Sequence, residues 1–493
     1  MGHDSIDPDR FLPENRADAA RWEHQRLRRR LLEGDWRMDL AERLREHLAP
    51  TRAQNLGRPV LAVNLLKSIA SQLAVLYDRV PTVHIEDAVP EVEEEVVEML
   101  GEMGTWSILQ RNAEHVIGIR ESLVAIGWSE SRQVPTLRLV PADTVVCECD
   151  PEDPHRIILL KEARPRSRRG RDGRDEMDVF WDVWDIRDPR SPAFRIENRD
   201  GLDVTGMIPA VADQVGMAYP YIDETGEPFI PMVLYHAQNV GRLWDYMTWA
   251  EIVEGSLDCG VLWSLFFHCA RDASWRQKYA INLALSGARL IKAADGETSQ
   301  QVETSPSSVL MFQSVGDGKQ GSAGTFDAPI EPAKFADAVL GFQRTVVAHI
   351  GINPADLERT ESANSVYAIQ LKRSAQRKLG LRFEPQFRRG DVELIRKACL
   401  IANLHAGRAL PVTGASITYH PIEETTAERA DEFGYLQALV AAGQLSRVDL
   451  YQALNPGVSV EMAMERLVEI DAINRGVSMQ AGRVLDEMQR QPI

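Results

Sequence analysis

Two long segments with helical patterning, separated by a polar stretch, constrain the fold of this chain more than any other feature. The first covers Arg242 to Tyr279 and is more than twice the mean helix length. The second covers Ala333 to Ile350, where apolar residues recur at helical spacing, at Phe335, Val339, Phe342, Val346 and Ile350. Short β-like runs lie between them, at 281–332. Two helices that flank a β module can pair as a stem, with the module at its tip.

Two glycines interrupt the first long segment. Gly255 and Gly260 each weaken a helix interior by roughly 1 kcal/mol relative to alanine. They are tolerable if a neighbouring helix must approach closely.

The first 55 residues predict highly charged helices. Four arginines cluster there, Arg26, Arg28, Arg29 and Arg30. This pattern favours a solvated helix face, and an arm that packs on a neighbouring subunit is the alternative. Further helices are predicted at 64–77, 91–100 and about 106–126.

Residues 135–235 change to strand-like patterns. Strands are predicted at 137–140, 144–149, 157–160 and 179–184. The Arg- and Gly-rich stretch from Arg164 to Asp175 predicts a mobile hairpin tip, with a nucleic-acid contact as the alternative.

The C-terminal third predicts helices again, so the predicted fold class is α+β, mainly helical. A polar break at Asn353 to Asn364 precedes a basic helical run, Ser365 to Gly380, which Pro385 should kink or end. A helix over Asp391 to His405 and a strand at 416–419 follow. The last 70 residues predict short amphipathic helices.

Composition limits the function classes. The 493 residues are 44% hydrophobic, which is enough for a sizeable core and too much for a disordered chain. The most apolar run, Cys259 to Phe267, is far shorter than the ~20 residues that span a membrane. Met1 to Arg10 has no apolar region, so no secretory signal is expected and the cytoplasm is favoured. The net charge of −17 argues against firm DNA binding.

The sequence carries no convincing signature of catalysis, cofactor binding or metal binding. No phosphate loop, zinc-protease motif or nucleophile elbow occurs. The Gly-x-Gly-x-x-Gly at Gly316 is not followed by a predicted helix, so a flexible loop is favoured over a dinucleotide site. Cys147 and Cys149 lack two further ligands at zinc spacing and are interpreted as reduced core cysteines. His268 and His349 have no acidic partners at ligand spacing.

The order of these elements resembles the portal proteins of tailed double-stranded DNA bacteriophages. The resemblance covers nearly the whole chain, with local similarity at the Ile230-Pro-Met-Val strand and the Gly351-Ile-Asn-Pro turn. It implies a subunit with wing, helical stem, β-rich clip and C-terminal helical crown. The implied boundaries are an N-terminal helical arm at 1–55, a mixed α/β wing at 56–240, a first stem helix at 241–280, the clip at 281–332, a second stem helix at 333–352, a tunnel loop at 353–364, a wing helix and strand at 365–422, and the crown at 423–493.

This resemblance implies a non-enzymatic subunit of a homo-oligomeric ring, a dodecamer in this family, at one capsid vertex. The genome would pass through it during packaging and ejection. The implied partners are terminase, the major capsid or scaffold protein, a head-completion or tail adaptor protein, and double-stranded DNA bound non-specifically. No cofactor and no membrane are implied. Assembly in the host bacterial cytoplasm and a place in the virion are expected.

The resemblance also implies three sets of site residues. The tunnel loop would contribute Asn353, Asp356, Glu358, Arg359, Glu361 and Asn364. Basic residues expected to face DNA are Lys334, Arg344 and Lys372. Clip residues expected to bind partners are Leu285, Arg289, Lys292 and Phe312. The loop is more acidic than basic, which fits weak, sliding contact with DNA.

Two other functions remain open from the sequence. Another head or connector protein, such as an adaptor or minor capsid component, would share the oligomer but lack the stem–clip–stem order. An enzyme, such as a nuclease or ATPase with unrecognised motifs, is opposed by the missing phosphate loop and carboxylate cluster.

Overall fold

The computed structural model describes residues 13, 15–48, 59–61, 63–86, 88–153, 156–169, 175–207, 221–274, 277–281, 283–285, 289–292, 298–301, 312–314, 322–326, 331–349, 351, 379–420, 426–454 and 462–473. The chain divides into two compact units, 1–363 with 372–421, and 364–371 with 422–493. Helices and sheets are mixed throughout the first unit, which confirms the predicted α+β class.

The N-terminal helices belong to the core of the larger unit. They are α1 (Arg16–Glu33) and α2 (Arg37–His47). Side chains that they bury include Leu31, Leu40, Arg26 and Arg28. The prediction of a solvated arginine face is wrong for Arg26 and Arg28, because these side chains are buried and both helices pack within the core of the larger unit.

The next elements are α3 (Leu65–Leu73), β1 (Thr82–Ile85), α4 (Pro90–Glu102) and α5 (Thr105–Ile119). The apolar stripe of α3 is buried as predicted, although the helix ends before Tyr77. The predicted helix to Ile126 is wrong. Arg120 adopts a left-handed φ of 87°, which ends α5, and a strand follows at once.

The strands that follow are β2 (Glu121–Ser129), β3 (Val134–Pro141), β4 (Val145–Cys149), β5 (Ile157–Arg169), β6 (Asp175–Asp185), β7 (Ala193–Glu197), β8 (Tyr221–Ile222), β9 (Pro228–Phe229) and β10 (Met232–His236). They form an antiparallel sheet in the order β10-β2-β3, a second in the order β4-β5-β6-β7, and the β8–β9 hairpin. A small apolar core lies between the two larger sheets and includes Leu123, Leu160 and Trp184.

The predicted mobile tip at Arg164 to Asp175 is wrong for its described part. β5 and β6 pair without interruption as far as Arg169 and Asp175. Arg164 and Arg166 both form ion pairs with the buried carboxylate of Asp182 on the partner strand. These cross-strand pairs order the arginines, and residues 170–174 lie outside the described residues.

The two long helices and the module between them follow. They are α6 (Ala250–Ser274), β11 (Gln277–Ile281), β12 (Leu283–Leu285), β13 (Arg289–Lys292), β14 (Thr298–Gln301), β15 (Phe312–Ser314), β16 (Ser322–Phe326) and α7 (Pro332–Ala348). The first long helix is shorter than predicted. Bends and turns occupy 241–249, and residues 277–281 form a strand.

A third long helix and a short strand complete the larger unit. They are α8 (Glu384–Ala406) and β17 (Ala415–Thr418), and β17 pairs with β1. Pro385 lies in the first turn of α8, after a turn at 382–383 that follows the helical residues 379–381. Proline is tolerated in the first turn because the first backbone N–H groups of a helix have no partner within it. The predicted basic run, Ser365 to Gly380, lies outside the described residues apart from its last two.

The smaller unit contains α9 (Thr426–Ala441), α10 (Arg447–Leu454) and a helical segment at 462–473. Several large apolar side chains of these helices are exposed, including Phe433, Tyr435, Val468 and Ile473. No residue of α10 is buried.

Candidate functional site

The two long helices α6 and α7 pack side by side and antiparallel. Phe266, in the C-terminal half of α6, stacks on Phe335 near the start of α7, with 5.9 Å between ring centroids and 12° between ring planes. Gly255, near the start of α6, lies against Val346 near the end of α7. The sequence-based pairing of these two segments is therefore present in the fold.

The glycines of α6 mark two close approaches. A Cβ atom added at Gly255 would lie 2.5 Å from Cγ1 of Val346 on α7. One added at Gly260 would lie 2.8 Å from Cδ1 of Leu40 on α2. Each glycine lets a neighbouring helix approach α6, as the sequence predicted, and the two neighbours lie on different sides.

The strands between α6 and α7 pair in a nested, antiparallel order. β11 pairs with β16, β12 with β15, and β13 with β14. This nesting carries the chain outward from α6 and back to α7. The predicted clip residues all lie on these strands, and Leu285 stands opposite Phe312 in the register. Arg289 and Lys292 lie at the two ends of β13, and the side chains of this module lie outside the described residues.

One face of α7 is exposed along its length and carries the predicted basic residues. Lys334 is 77% exposed and pairs with Glu331 at 2.8 Å. Arg344 lies on the same face, with Asp337 and Gly341 between them. Lys372 and the whole tunnel loop, Asn353, Asp356, Glu358, Arg359, Glu361 and Asn364, lie outside the described residues.

A buried polar network, which the sequence did not predict, fixes the segment that leads into α6. Arg28 of α1 donates to the carbonyls of Gly118 (3.0 Å) and Thr248 (2.6 Å). The carboxylate of Glu121 accepts a hydrogen bond from the backbone N–H of Asp245. Arg120 in turn forms an ion pair with Asp245 at 3.4 Å. Residues separated by up to 220 positions in sequence are thereby joined.

Arg120 and a further arginine, Arg21, lie over tryptophan rings of the same segment. The guanidinium of Arg21 lies 4.0 Å from the ring centroid of Trp244, and that of Arg120 lies 4.7 Å from the centroid of Trp249. Desolvated cation–π contacts of this kind stabilise by about 2 kcal/mol each. The turn before α6 is therefore held in place by α1 and by the start of β2.

Burial changes the protonation equilibria of the network. Desolvation raises the pKa of Glu121 to about 7, against the opposing effect of its hydrogen bond from Asp245. Desolvation, followed by repulsion from Arg120, lowers the pKa of Arg28 to about 10. Burial thus disfavours the charged form of both groups, and the hydrogen bonds and opposite charges around them offset only part of that effect.

Another buried carboxylate holds α8 against the sheet β10-β2-β3. Asp391 accepts hydrogen bonds from the hydroxyl groups of Tyr77 (2.8 Å), Tyr235 (3.0 Å) and Tyr419 (2.6 Å). Desolvation raises the pKa of Asp391 to about 7, although the three hydrogen bonds favour the ionised form. The cluster connects four separate parts of the larger unit and is fully enclosed, which fits a structural role.

Among the described residues, no His, Cys, Asp and Glu side chains are grouped so as to hold a metal ion. None of the described helices combines the length and apolarity needed to cross a membrane. Cys147 and Cys149 are free thiols, and burial raises the pKa of both.

Comparison with known proteins gives structural likeness only, and the likeness described here is weak. No protein-family model matches the sequence, and no curated protein is similar to it. A chain from the neck of an empty GTA particle, computed with C6 symmetry, is similar in structure, with a TM-score of 0.42 and 12% sequence identity. The match covers 81% of this chain and 95% of that chain. A likeness at this level does not place the chain in a family.

Proposed function

We propose that this chain is a portal subunit, a non-enzymatic component of a ring through which the double-stranded DNA of a tailed bacteriophage passes. One observation carries the proposal. An antiparallel helix pair, packed through Gly255 on Val346 and Phe266 on Phe335, brackets a nested β module. Multiplied around an axis, such a pair can form the wall of a channel and present the β module at one end.

In this proposal the parts of the subunit have separate tasks. α6 and α7 form the stem, and β11–β16 form a clip that docks terminase during packaging and a head-completion or tail adaptor protein afterwards. The arginine network around Asp245 transmits force between wing and stem, because it joins α1 and β2 to the turn before α6. Exposed apolar residues such as Val468 and Ile473 give the C-terminal helices surface to bury against neighbouring copies.

The ring is tested by electron microscopy and native mass spectrometry of the purified full chain. We expect a closed ring, twelve-membered by the family resemblance, with a central opening wide enough for a DNA duplex. A monomer at high protein concentration, or a particle without an opening, would overturn the proposal. A ring in which β11–β16 pack inside the particle wall would instead favour an adaptor or minor capsid protein.

DNA contact is tested by mobility shift with random-sequence duplexes at about 50 mM and about 200 mM salt. We expect weak binding that fades with salt. The double variant Lys334→Glu/Arg344→Glu should weaken it further and flatten the salt dependence by about 0.9 slope units for each phosphate that the variant no longer neutralises. Arg190→Glu, an exposed charge reversal on the turn after β6, is the matched control. Tight, sequence-specific binding would contradict the conduit model.

A further inference from the structure

The central sheet has an open edge at the bottom of a cleft. β10 is an edge strand of the sheet β10-β2-β3, and its residues line a cleft of about 720 Å³. One wall of the cleft is the N-terminal half of α8, with Arg388 and Arg389. Apolar side chains Ile157, Leu160 and Ile186 form the opposite wall.

The register of the sheet decides which backbone groups of β10 face the cleft. The N–H of Ile126 on β2 donates to the carbonyl of Pro231, and Met232 stands opposite Ala125. In an antiparallel pair, residues bond to the partner strand alternately. The odd-numbered residues of β10 therefore bond to β2, and the backbone groups of the even-numbered residues point into the cleft.

Only some of the backbone groups of β10 that point into the cleft have a hydrogen-bond partner among the described residues. Nζ of Lys397 donates to the carbonyl of Met232 at 2.7 Å, which covers one end of the edge. Leu234, at the middle of β10, has no hydrogen-bond partner for its outward N–H and C=O among the described residues. Unpaired groups on a strand edge form a template for an additional strand.

The charge along the cleft is uneven. α8 runs antiparallel to β10, since Lys397 lies beside Met232 and Asp391 bonds to Tyr235. At the Lys397 end, Arg396 is already held by Asp223 and Glu224 of the β8–β9 hairpin. At the other end, Arg389 is exposed and makes no ion pair with the described residues. This end offers a free positive charge.

We propose that β10 accepts an extended peptide from a partner protein as an added strand, with acidic side chains directed toward Arg389. Strand addition to a sheet edge is a common mode of peptide recognition, in which backbone bonds give affinity and alternate side chains give specificity. Side chains of the added strand point alternately to the face of Leu160 and Ile186 and to the face of α8. The fitting peptide therefore alternates apolar and acidic residues.

The size of the cleft and the state of the chain's own strands favour a peptide over a second copy. The cleft volume of about 720 Å³ lies within the range of about 300–1,000 Å³ that is usual for sites enclosing small ligands, which suits a short segment. Every strand in the described part of the chain is already paired within a sheet. This docking site is independent of ring formation and goes beyond the portal proposal.

The direct test is fluorescence anisotropy with the full chain and a labelled heptapeptide that alternates valine and glutamate. Two matched peptides carry lysine in place of glutamate, or proline at the central position. We expect the acidic peptide to bind at least about tenfold more tightly than either, since lysine is repelled by Arg389 and proline cannot donate to the edge. Equal binding of all three peptides would overturn the proposal.

Variants of the protein locate the binding. Arg389→Glu should weaken the acidic peptide about three- to tenfold, and Arg382→Glu, an exposed reversal outside the cleft, should leave it unchanged. Leu234→Pro removes an outward N–H that the β2 ladder does not use and should weaken binding at least about tenfold. If Leu234→Pro fails to fold, the Arg389→Glu variant still tests the site. Unchanged binding of the acidic peptide to Arg389→Glu would refute it. A chain oligomer that dissociates on peptide addition would assign the cleft to a second copy and also refute it.

Discussion

The substitution Gly255→Ala isolates the packing of α6 against α7. The added methyl group would lie 2.5 Å from Cγ1 and 3.0 Å from Cγ2 of Val346, so that side chain or the helix must shift. Overpacking of this kind costs about 1–3 kcal/mol. Alanine in place of a helix-interior glycine gains about 1 kcal/mol. We expect the free energy of unfolding to fall by up to about 2 kcal/mol.

The chain offers a matched control for this prediction on the partner helix. Gly341 lies inside α7, and a Cβ atom added there would meet no heavy atom within 4 Å. Gly341→Ala should therefore stabilise by about 0.5–1 kcal/mol through helix propensity alone. The same chemical change thus has opposite signs on the two helices. Combining Gly255→Ala with Val346→Ala removes the clashing methyl groups, so the double variant should be more stable than additivity predicts.

Urea denaturation followed by circular dichroism measures five proteins: the parent chain, Gly255→Ala, Gly341→Ala, Val346→Ala and the double variant. All are compared at one protein concentration, because assembly would shift the midpoints. The expected order of midpoints places Gly341→Ala above the parent chain and Gly255→Ala below it. A Gly255→Ala midpoint equal to or above that of Gly341→Ala would refute the close approach of α6 and α7. Additive behaviour of the double variant would show that Val346 is not the clashing group.

Three further predictions concern buried and exposed charges. The pKa of Asp391 is about 7 in the folded chain against 3.8 when unperturbed, so the folded chain binds a proton that the unfolded chain releases, and the contribution of Asp391 to stability falls as pH rises from about 4 to about 7. Asp391→Asn should flatten this pH dependence of the urea midpoint, and an unchanged slope would contradict the prediction. Arg28→Met leaves the buried carbonyl of Gly118 and the part-buried carbonyl of Thr248 without their hydrogen-bond donor, and it should cost about 3 kcal/mol or more in the same assay. A neutral result would mean that water replaces the guanidinium. Arg43 of α2 forms part-exposed ion pairs with Glu254 and Asp258 of α6, so Arg43→Ala should change the free energy of unfolding by no more than about 1 kcal/mol. A larger loss would indicate a desolvated pair.

The helix pair was predictable because its signals are local and long. Apolar spacing over Ala333 to Ile350 predicted α7 to within two residues at each end. Gly255 and Gly260 predicted close neighbours, although not which helices these would be. Alternation and apolar runs likewise predicted the cores of β3, β5 and β6.

The ends of elements were predicted less well, because single residues with long-range partners set them. Helix α5 stops at Arg120, a residue type that favours helices, because its guanidinium is drawn to Asp245 and its backbone is left-handed. α6 begins eight residues later than predicted, at Ala250, since the preceding segment is held by the buried network. Nothing within a local window signals that Arg28 lies beside Thr248.

The buried arginines illustrate the same limit for the candidate site. A run of arginines in one helix normally indicates a solvated face, and that is what the sequence predicts here. In the fold, Arg21, Arg26 and Arg28 instead reach carbonyl and carboxylate groups far along the chain. Burying them is tolerated only because each finds such partners, and those partners are not identifiable before the fold is known.

The distribution of charge in the fold bears on how the chain can meet DNA. Among the described residues, seven carboxylates and five lysine or arginine side chains are buried, so burial removes little of the net negative charge of −17. The surface is therefore acidic, and a sequence-reading protein would need to gather cations on one face to overcome it. The exposed face of α7 does not do this, since Asp337 lies between Lys334 and Arg344. Under the portal proposal, Lys334 and Arg344 would attract phosphate weakly and release it readily, as the passage of a moving duplex requires.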